Sequence, residues 1–220
     1  MLRFDLRDFF TSVSAAHVRA IFRAAGYPLP TAKLLTGLCT TRTPDDITPV
    51  EPRWRARHLP QGAPTSPALA NLAAYRLDVR LHALAQKLGA HYTRYADDLA
   101  FSGDSRLERS AERVQTLIAV IAVEEGFELN FRKTRFMRQG VRQQLAGVVV
   151  NVRPNVRRID YDALKAILHN CVRHGPASQN RAQHADFRRH LQGRIAHVRA
   201  LNAGRGAKLH AIFARIEWAG

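Results

Sequence analysis

The chain has 220 residues, of which 46% are hydrophobic, so it can bury a core as one domain or two small ones and is not a disordered tail. No apolar run is long enough to cross a bilayer, and the opening residues Met1-Leu2-Arg3-Phe4-Asp5 do not read as a signal peptide. The formal charge of +16 points to a polyanionic partner, and nucleic acid is favoured over a membrane surface because no basic amphipathic helix with an aromatic apolar face is visible.

In chain order, the alternation of Leu2, Phe4 and Leu6 predicts a strand ending near Asp8, with Asp5 close to its end. Ser14 can cap a helix through Ala25, and Gly26 stops it. Pro28 and Pro30 break the pattern. Thr31 to Thr41 can form a short helix carrying Leu34, Leu35 and Leu38, and a loop with a solvated Asp45-Asp46 turn follows. Arg53, Arg55, Arg57 and His58, with Trp54 among them, form a basic-aromatic cluster suited to a phosphate backbone or a base face, or simply to an exposed loop.

Leu59-Pro60-Gln61-Gly62-Ala63-Pro64-Thr65-Ser66-Pro67 enforces a turn. Ser66 is the expected cap of a helix that starts at Pro67, runs to about Leu88 and is stopped by Gly89. Its N-terminus offers free N–H groups to an anion.

His91 to Tyr95 and Leu99 to Gly103 are rich in strand formers, with Ala96-Asp97-Asp98 between them, so the reading is a hairpin with two adjacent carboxylates at its tip. Like charges so placed are unfavourable unless a cation compensates, and hard divalent ions, Mg²⁺ above all, are the usual compensators. A bare Asp-Asp pair, taken alone, reads as a solvated turn.

Ser105 and Glu108 read as a capping box opening a helix that ends at Gly126. A Gly126-initiated strand leads to Lys133. Two further strands flank Gln139-Gly140, the second being Gln144 to Asn151, and residues 153–158 read as a linker. Beyond Ile159, three amphipathic helices are predicted: one capped by Asp160, one carrying Phe187, Leu191, Ile195, Val198 and Leu201, and one carrying Leu209, Ile212, Phe213 and Ile216. Residues 153–220 hold 13 Lys and Arg against four Asp and Glu, so the basic excess is densest here. The six histidines between 169 and 210 lack metal-ligand spacing. Cys39 and Cys171 each lie in an apolar helical pattern, which fits a reducing compartment such as the cytoplasm and a core role.

Four of these segments resemble, in order, the motifs of reverse transcriptases. Asp5 followed five positions later by Phe10 resembles the first catalytic motif. The nonapeptide Leu59–Pro67 resembles the second, Tyr95-Ala96-Asp97-Asp98 resembles the catalytic hairpin, and the Gly126 strand with Lys133 resembles the next. The string Gly193-Arg194-Ile195-Ala196-His197-Val198-Arg199 and the stretch Tyr95–Gly103 are similar to the bacterial retron branch more than to group II intron-encoded enzymes. The resemblance implies an α+β fold: an antiparallel palm sheet backed by helices over residues 1–152, with a short fingers-like insertion at about 27–60, then a helical thumb over 159–220.

It also implies RNA-templated DNA synthesis with two Mg²⁺ ions held by Asp5, Asp97, Asp98 and the Leu6 carbonyl. Phe10 would close space beside the sugar 2′-position, although read alone it is a core aromatic. Gln61 and Gly62 would lie against the incoming nucleotide and template. Lys133, a surface lysine on its own evidence, would lie near the phosphates. Gly147, Val148, Arg194 and Arg199 would meet primer and template. The implied partners are an RNA template with a DNA primer or an RNA–DNA duplex, and a structured non-coding RNA. In the family, fingers precede the first catalytic motif, whereas Asp5 is the fifth residue here. The expectation is therefore an active site open on one side, with the fingers supplied by a second polypeptide or lost by truncation, and an effector as a further possible partner. The competing reading is a non-catalytic nucleic-acid-binding module that keeps the fold.

Overall fold

The computed structural model describes residues 1–44, 46–47 and 52–218, the side chains at 52 and 53 excepted. Asp45 of the second Asp pair and the Arg53 side chain of the basic cluster therefore lie outside the described residues. The chain divides into two compact units, Met1–Arg138 and Gln139–Gly220.

The first unit is mixed α/β. Strand β1 (Leu2–Asp5) is followed by α1 (Phe9–Ser12), α2 (Ala15–Ala24), α3 (Leu29–Cys39), α4 (Pro52–Arg55), α5 (Ser66–Ala73) and α6 (Tyr75–Lys87). Then come β2 (His91–Tyr95), β3 (Asp98–Ser102), α7 (Ser105–Arg109), α8 (Ala111–Glu124), a 3-10 turn (Phe131–Lys133) and β4 (Arg135–Phe136). The strands form one antiparallel sheet in the order β2-β3-β1-β4. The two-residue period decides its faces. Leu2 and Phe4 of β1 pair with Phe101 and Leu99 of β3, and all four are buried. Phe4 meets Phe101 and Phe136 edge-on, at 6.2 and 6.5 Å between ring centres. Against this face pack the apolar stripes Leu77, Leu81 and Ala85 of α6 and Val114, Ile118 and Ala122 of α8, each repeating every fourth residue as a helical face requires. Arg3 and Asp5 alternate onto the opposite face.

Several boundaries differ from the sequence reading. Strand β1 stops at Asp5, because Asp8 takes a left-handed backbone (φ 51°) and occupies the cap position of α1. Ser66 does not cap: it is the first helical residue, 1% exposed, and its hydroxyl donates to the Pro60 carbonyl at 2.6 Å, tying the Leu59–Pro67 turn to the helix. The expected long helix breaks at Ala74 into α5 and α6. The expected helix from Ser105 breaks at Ser110, and its cap is Asp104, which accepts from the Arg106 N–H at 2.8 Å. Glu108 instead pairs with Arg138 at 2.8 Å. The basic cluster before Leu59 is split. Arg57, itself exposed, donates to the carbonyls of Gly37 and Thr40 at 2.8 and 2.7 Å, closing the C-terminal end of α3, and His58 is 5% exposed. The strand expected to lead from Gly126 to Lys133 is reduced to an isolated bridge of Leu129 to Leu6, and Lys133 lies on the 3-10 turn.

In the second unit, β5 (Gln144–Leu145) and β6 (Val148–Val149) form a hairpin, followed by α9 (Arg158–His174), a 3-10 turn (Pro176–Ser178), α10 (Phe187–Leu201) and α11 (Ala203–Phe213). The expected single strand Gln144–Asn151 is thus folded on itself. Ala146 and Gly147 both have positive φ (45° and 83°), as a tight two-residue hairpin turn demands. Residues 139–152 cluster with the helices of this unit, whereas the sequence reading placed them with the N-terminal region. The three predicted helices are present. Asp160 lies in the first turn of α9, where it accepts both bonds of the Arg157 fork, and does not cap. Leu164, Leu168 and Cys171 of α9, Leu191, Ile195 and Val198 of α10, and Leu209 and Phe213 of α11 form a separate core.

The α10–α11 contact is set by Gly206. A Cβ there would fall 2.4 Å from Cβ and 2.5 Å from Cα of Arg199. Gly206→Val should therefore force the helices apart and lower stability by about 1–3 kcal/mol, the usual cost of overpacking. Urea unfolding checks this, and an unchanged midpoint would contradict the close approach.

Candidate active site

The register of β1 on β3 makes Asp5 and Asp98 direct cross-strand partners, and Tyr95 pairs with Asp98 on the other side. Ala96 and Asp97 are the two residues of the hairpin turn. Ala96 adopts φ 52°, the left-handed value that such a turn needs at its first position. The Leu6 N–H donates to the Asp97 carbonyl at 2.8 Å, which locks the end of β1 to the hairpin tip. The Asn130 N–H donates to the Asp5 carbonyl at 2.7 Å, and Leu6 bridges to Leu129. Backbone bonds from three segments thus bring Asp5, Asp97, Asp98 and Lys133 to one end of the sheet.

Asp5 is 5% exposed, and its Oδ2 accepts from Lys133 Nζ at 3.0 Å. Asp98 accepts three bonds from Arg3: Nε at 3.0 Å and Nη2 at 2.7 and 2.8 Å. Arg3 sits two residues before Asp5, on the same face of the strand. Burial pushes the Asp97 carboxyl up, and the negative charges of Asp5 and Asp98 push it further, against the opposing pull of its own backbone hydrogen bond and of Lys133. The hydrogen bond to Asp5 raises the Lys133 ammonium, and the charges of Asp5, Asp97 and Asp98 add to this. The cluster is therefore three carboxylates balanced by one lysine and one arginine. Among the described residues, no group of three His, Cys, Asp or Glu side chains is arranged to hold a metal ion. The donor set is nonetheless all oxygen, the type that hard cations take.

Arg94 holds the hairpin to α6. Its side chain is 8% exposed, and it meets Asp78 at 2.6 and 2.8 Å while Asp78 also accepts the Tyr92 hydroxyl at 2.7 Å. Burial, followed by the bond to Asp78, pushes the Tyr92 hydroxyl well above its ordinary range, so it stays a donor.

Phe10 lies on α1, half-buried, with its ring 5.4 Å from that of the buried Phe9. Gln61 and Gly62 are exposed in the turn before α5, and Gly62 has φ 88°. Gln61 shares a cavity of about 270 Å³ with Asp8, Trp54 and His58. In the second unit, Gly147 and Arg194 line a single cavity of about 520 Å³. Val148 is half-buried on β6. Arg199 is exposed, with its backbone against Gly206. His190 and His197 line the same cavity, and His190 stacks on His184 at 3.9 Å. Burial, with His184 and Arg194 adding to it, holds the His190 ring below its ordinary value. Sequence reasoning passed over Arg3 and Arg94, and it read the histidines only as solvated or groove-facing positions. The two-residue period from Asp5 could have shown Arg3, whereas the histidines carry no spacing signal.

Residues 1–161 match the reverse transcriptase (RNA-dependent DNA polymerase) family, and the chain belongs to it. Among its relatives, the Retron Mx65 reverse transcriptase of Myxococcus xanthus is 42% identical over 216 residues, covering 95% of this chain and 48% of the relative. The Retron Mx162 reverse transcriptase of the same organism is 32% identical over 238 residues, covering 99% of this chain and 47% of that relative. The Retron Ec86 reverse transcriptase of Escherichia coli is 32% identical over 171 residues, covering 77% and 48%. The chain thus spans about half the length of the curated relatives it matches.

The raised Asp97 carboxyl has a stability consequence. The folded state holds the Asp97 proton more tightly than the unfolded chain, so ionisation at neutral pH costs stability. That cost vanishes as pH falls through the raised folded value to below 3.8. In metal-free buffer, Asp97→Asn should melt above the wild type at pH 7, and the gap should close toward pH 3.5. Melting curves across that range check this; a gap independent of pH would contradict the raised carboxyl.

Proposed function

We propose that the chain carries out RNA-templated DNA synthesis of the retron type, with the first unit as palm and the second containing the thumb. The observation that carries this reading is the convergence of Asp5, Asp97 and Asp98 at one sheet end, within a chain of the reverse transcriptase family. Asp5, Asp97 and the Leu6 carbonyl would hold two Mg²⁺ ions, with Asp98 a weaker or outer ligand. When bound, these ions lower the pKa of a primer 3′-hydroxyl and neutralise the triphosphate and its pyrophosphate leaving group. The residues fit them: an oxygen-only donor set with an excess of negative charge, in which burial, and then the charges of Asp5 and Asp98, hold the Asp97 carboxyl above its ordinary pKa.

The protein's own groups have distinct tasks. Arg3 grips Asp98 with a bidentate fork and so fixes its direction. Lys133, 61% exposed on a flexible stem, can leave Asp5 for a nucleotide phosphate. Phe10, packed on Phe9, limits space at the sugar 2′-position. Gln61 and Gly62 present an exposed turn to the nucleotide and template. Gly147, Val148, Arg194 and Arg199 contact primer and template, and the basic second unit supplies backbone affinity that salt weakens. The partners in this reading are an RNA template with a DNA primer and a structured RNA.

Asp97→Asn should abolish deoxynucleotide incorporation on a primed RNA template in Mg²⁺, while the affinity for that RNA stays within about twofold; retained synthesis would sink the assignment. Addition of Mg²⁺ should raise the melting temperature of the wild type more than that of Asp97→Asn, a readout that does not need activity. Phe10→Val should raise ribonucleotide incorporation relative to deoxynucleotide, and an unchanged ratio would return Phe10 to a packing role.

A further inference from the structure

We propose that the second unit contains a pocket for one unpaired nucleotide, in the cavity of about 520 Å³ lined by the β5–β6 turn, α9 and α10. The proposal rests on the nucleic-acid reading above and adds to it a half-open recess of nucleotide size. Gly193 singles the cavity out. It lies inside α10, where glycine costs a helix about 1 kcal/mol relative to alanine. A Cβ at Gly206 would collide with Arg199, but a Cβ at Gly193 would meet nothing within 4 Å. Helix packing therefore does not require the missing side chain. Its absence opens one wall of the cavity, which Gly193 lines.

The lining has the chemistry of a nucleotide site. Arg189, His190, Arg194 and His197 bring nitrogen donors from α10, and Leu164 and Val198 supply an apolar wall. The one carboxylate, Asp160, is already held by the Arg157 fork at 2.6 and 2.8 Å. Arg194 makes no hydrogen bond or ion pair among the described residues, so its donors are available. A guanidinium fork matches a phosphate, an apolar wall takes a base face, and imidazole nitrogens can bond a base edge. A double helix is too wide for such a recess, whereas a base splayed out of its strand fits. The shared chemistry is a phosphate with an attached base, whether from a bulged RNA strand or from a free nucleoside monophosphate.

The test uses the full chain, fluorescence anisotropy, and two RNA duplexes of equal length, one fully paired and one with a single-nucleotide bulge. Gly193→Phe fills the recess without removing a charge, and Gly193→Leu is the smaller filler should Phe disturb folding; melting curves monitor both. The wild type should prefer the bulged duplex. Either filler should weaken it at least tenfold and the paired duplex less than twofold. Arg194→Gln should weaken both duplexes, the bulged one more. AMP that competes only for the bulged duplex assigns free nucleotides to the pocket as well, and AMP that does not compete leaves the strand as the source. Fillers that fold and bind both duplexes as the wild type does overturn the pocket while the nucleic-acid reading stands. A wild type that binds neither duplex overturns that reading itself.

Discussion

Asp5 and Asp98 face each other across adjacent strands, and Asp97 is the next residue along, so three carboxylates meet where β1 ends and the hairpin turns. Like charges this close cost free energy, and the fold holds them there with backbone bonds from Leu6 to Asp97 and from Asn130 to Asp5. The register cannot relax to separate them. A slip of one residue would swing Arg3 and Asp5 into the apolar layer now filled by Leu2, Phe4, Leu99 and Phe101. The hydrophobic pattern of two strands thus enforces the electrostatic strain at their ends, and Ala96 adds a left-handed residue to the same turn.

The two cations that offset this strain are of different kinds. Arg3 is planar and fixed on β1, and it engages Asp98 through three short contacts. Lys133 is a point charge on a flexible stem, mostly exposed, with a single bond to Asp5. The guanidinium removes Asp98 from competition more firmly than the ammonium removes Asp5. Asp97 has no such bond and carries the raised carboxyl. This ordering separates the three acids by availability: Asp97 first, Asp5 next, Asp98 last. It agrees with the proposed outer role of Asp98 and follows from this chain's own residues.

Much of this was legible in the sequence because it depends on short-range pattern. The alternation around Asp5, the hairpin at Asp97-Asp98 and the three C-terminal helices each show in a period of two or 3.6. What failed was local competition. Ser105, Ser66 and Asp160 were expected to play cap roles that their neighbours changed, and Asp104 caps in place of Ser105. Ser66 found the Pro60 carbonyl and Asp160 found Arg157, and both choices depend on chain geometry that spacing does not reveal. The Gln144–Asn151 run read as one strand because Val148, Val149 and Val150 hide a turn whose signal is only Ala146-Gly147. Arg57 and His58 read as exposed bases; Arg57 is exposed but spends its donors closing α3, and His58 is buried, since tertiary contacts decide which basic residues face solvent.

Under the proposed function, the distribution of charge divides the work between the two units. A polyanionic strand is repelled by the three carboxylates of the first unit unless cations intervene. The second unit carries only four Asp and Glu over residues 153–220 against 13 Lys and Arg, and it offers the attraction that the carboxylate cluster cannot. Within it, at least two acids are occupied by arginine: Arg157 holds Asp160, and Arg189 lies 3.4 Å from Asp186. Positive charge is left in excess there, and an excess of that sign attracts phosphate. Affinity can then reside in a unit that does no chemistry, while the acidic cluster is left to the hard cations that its oxygens favour.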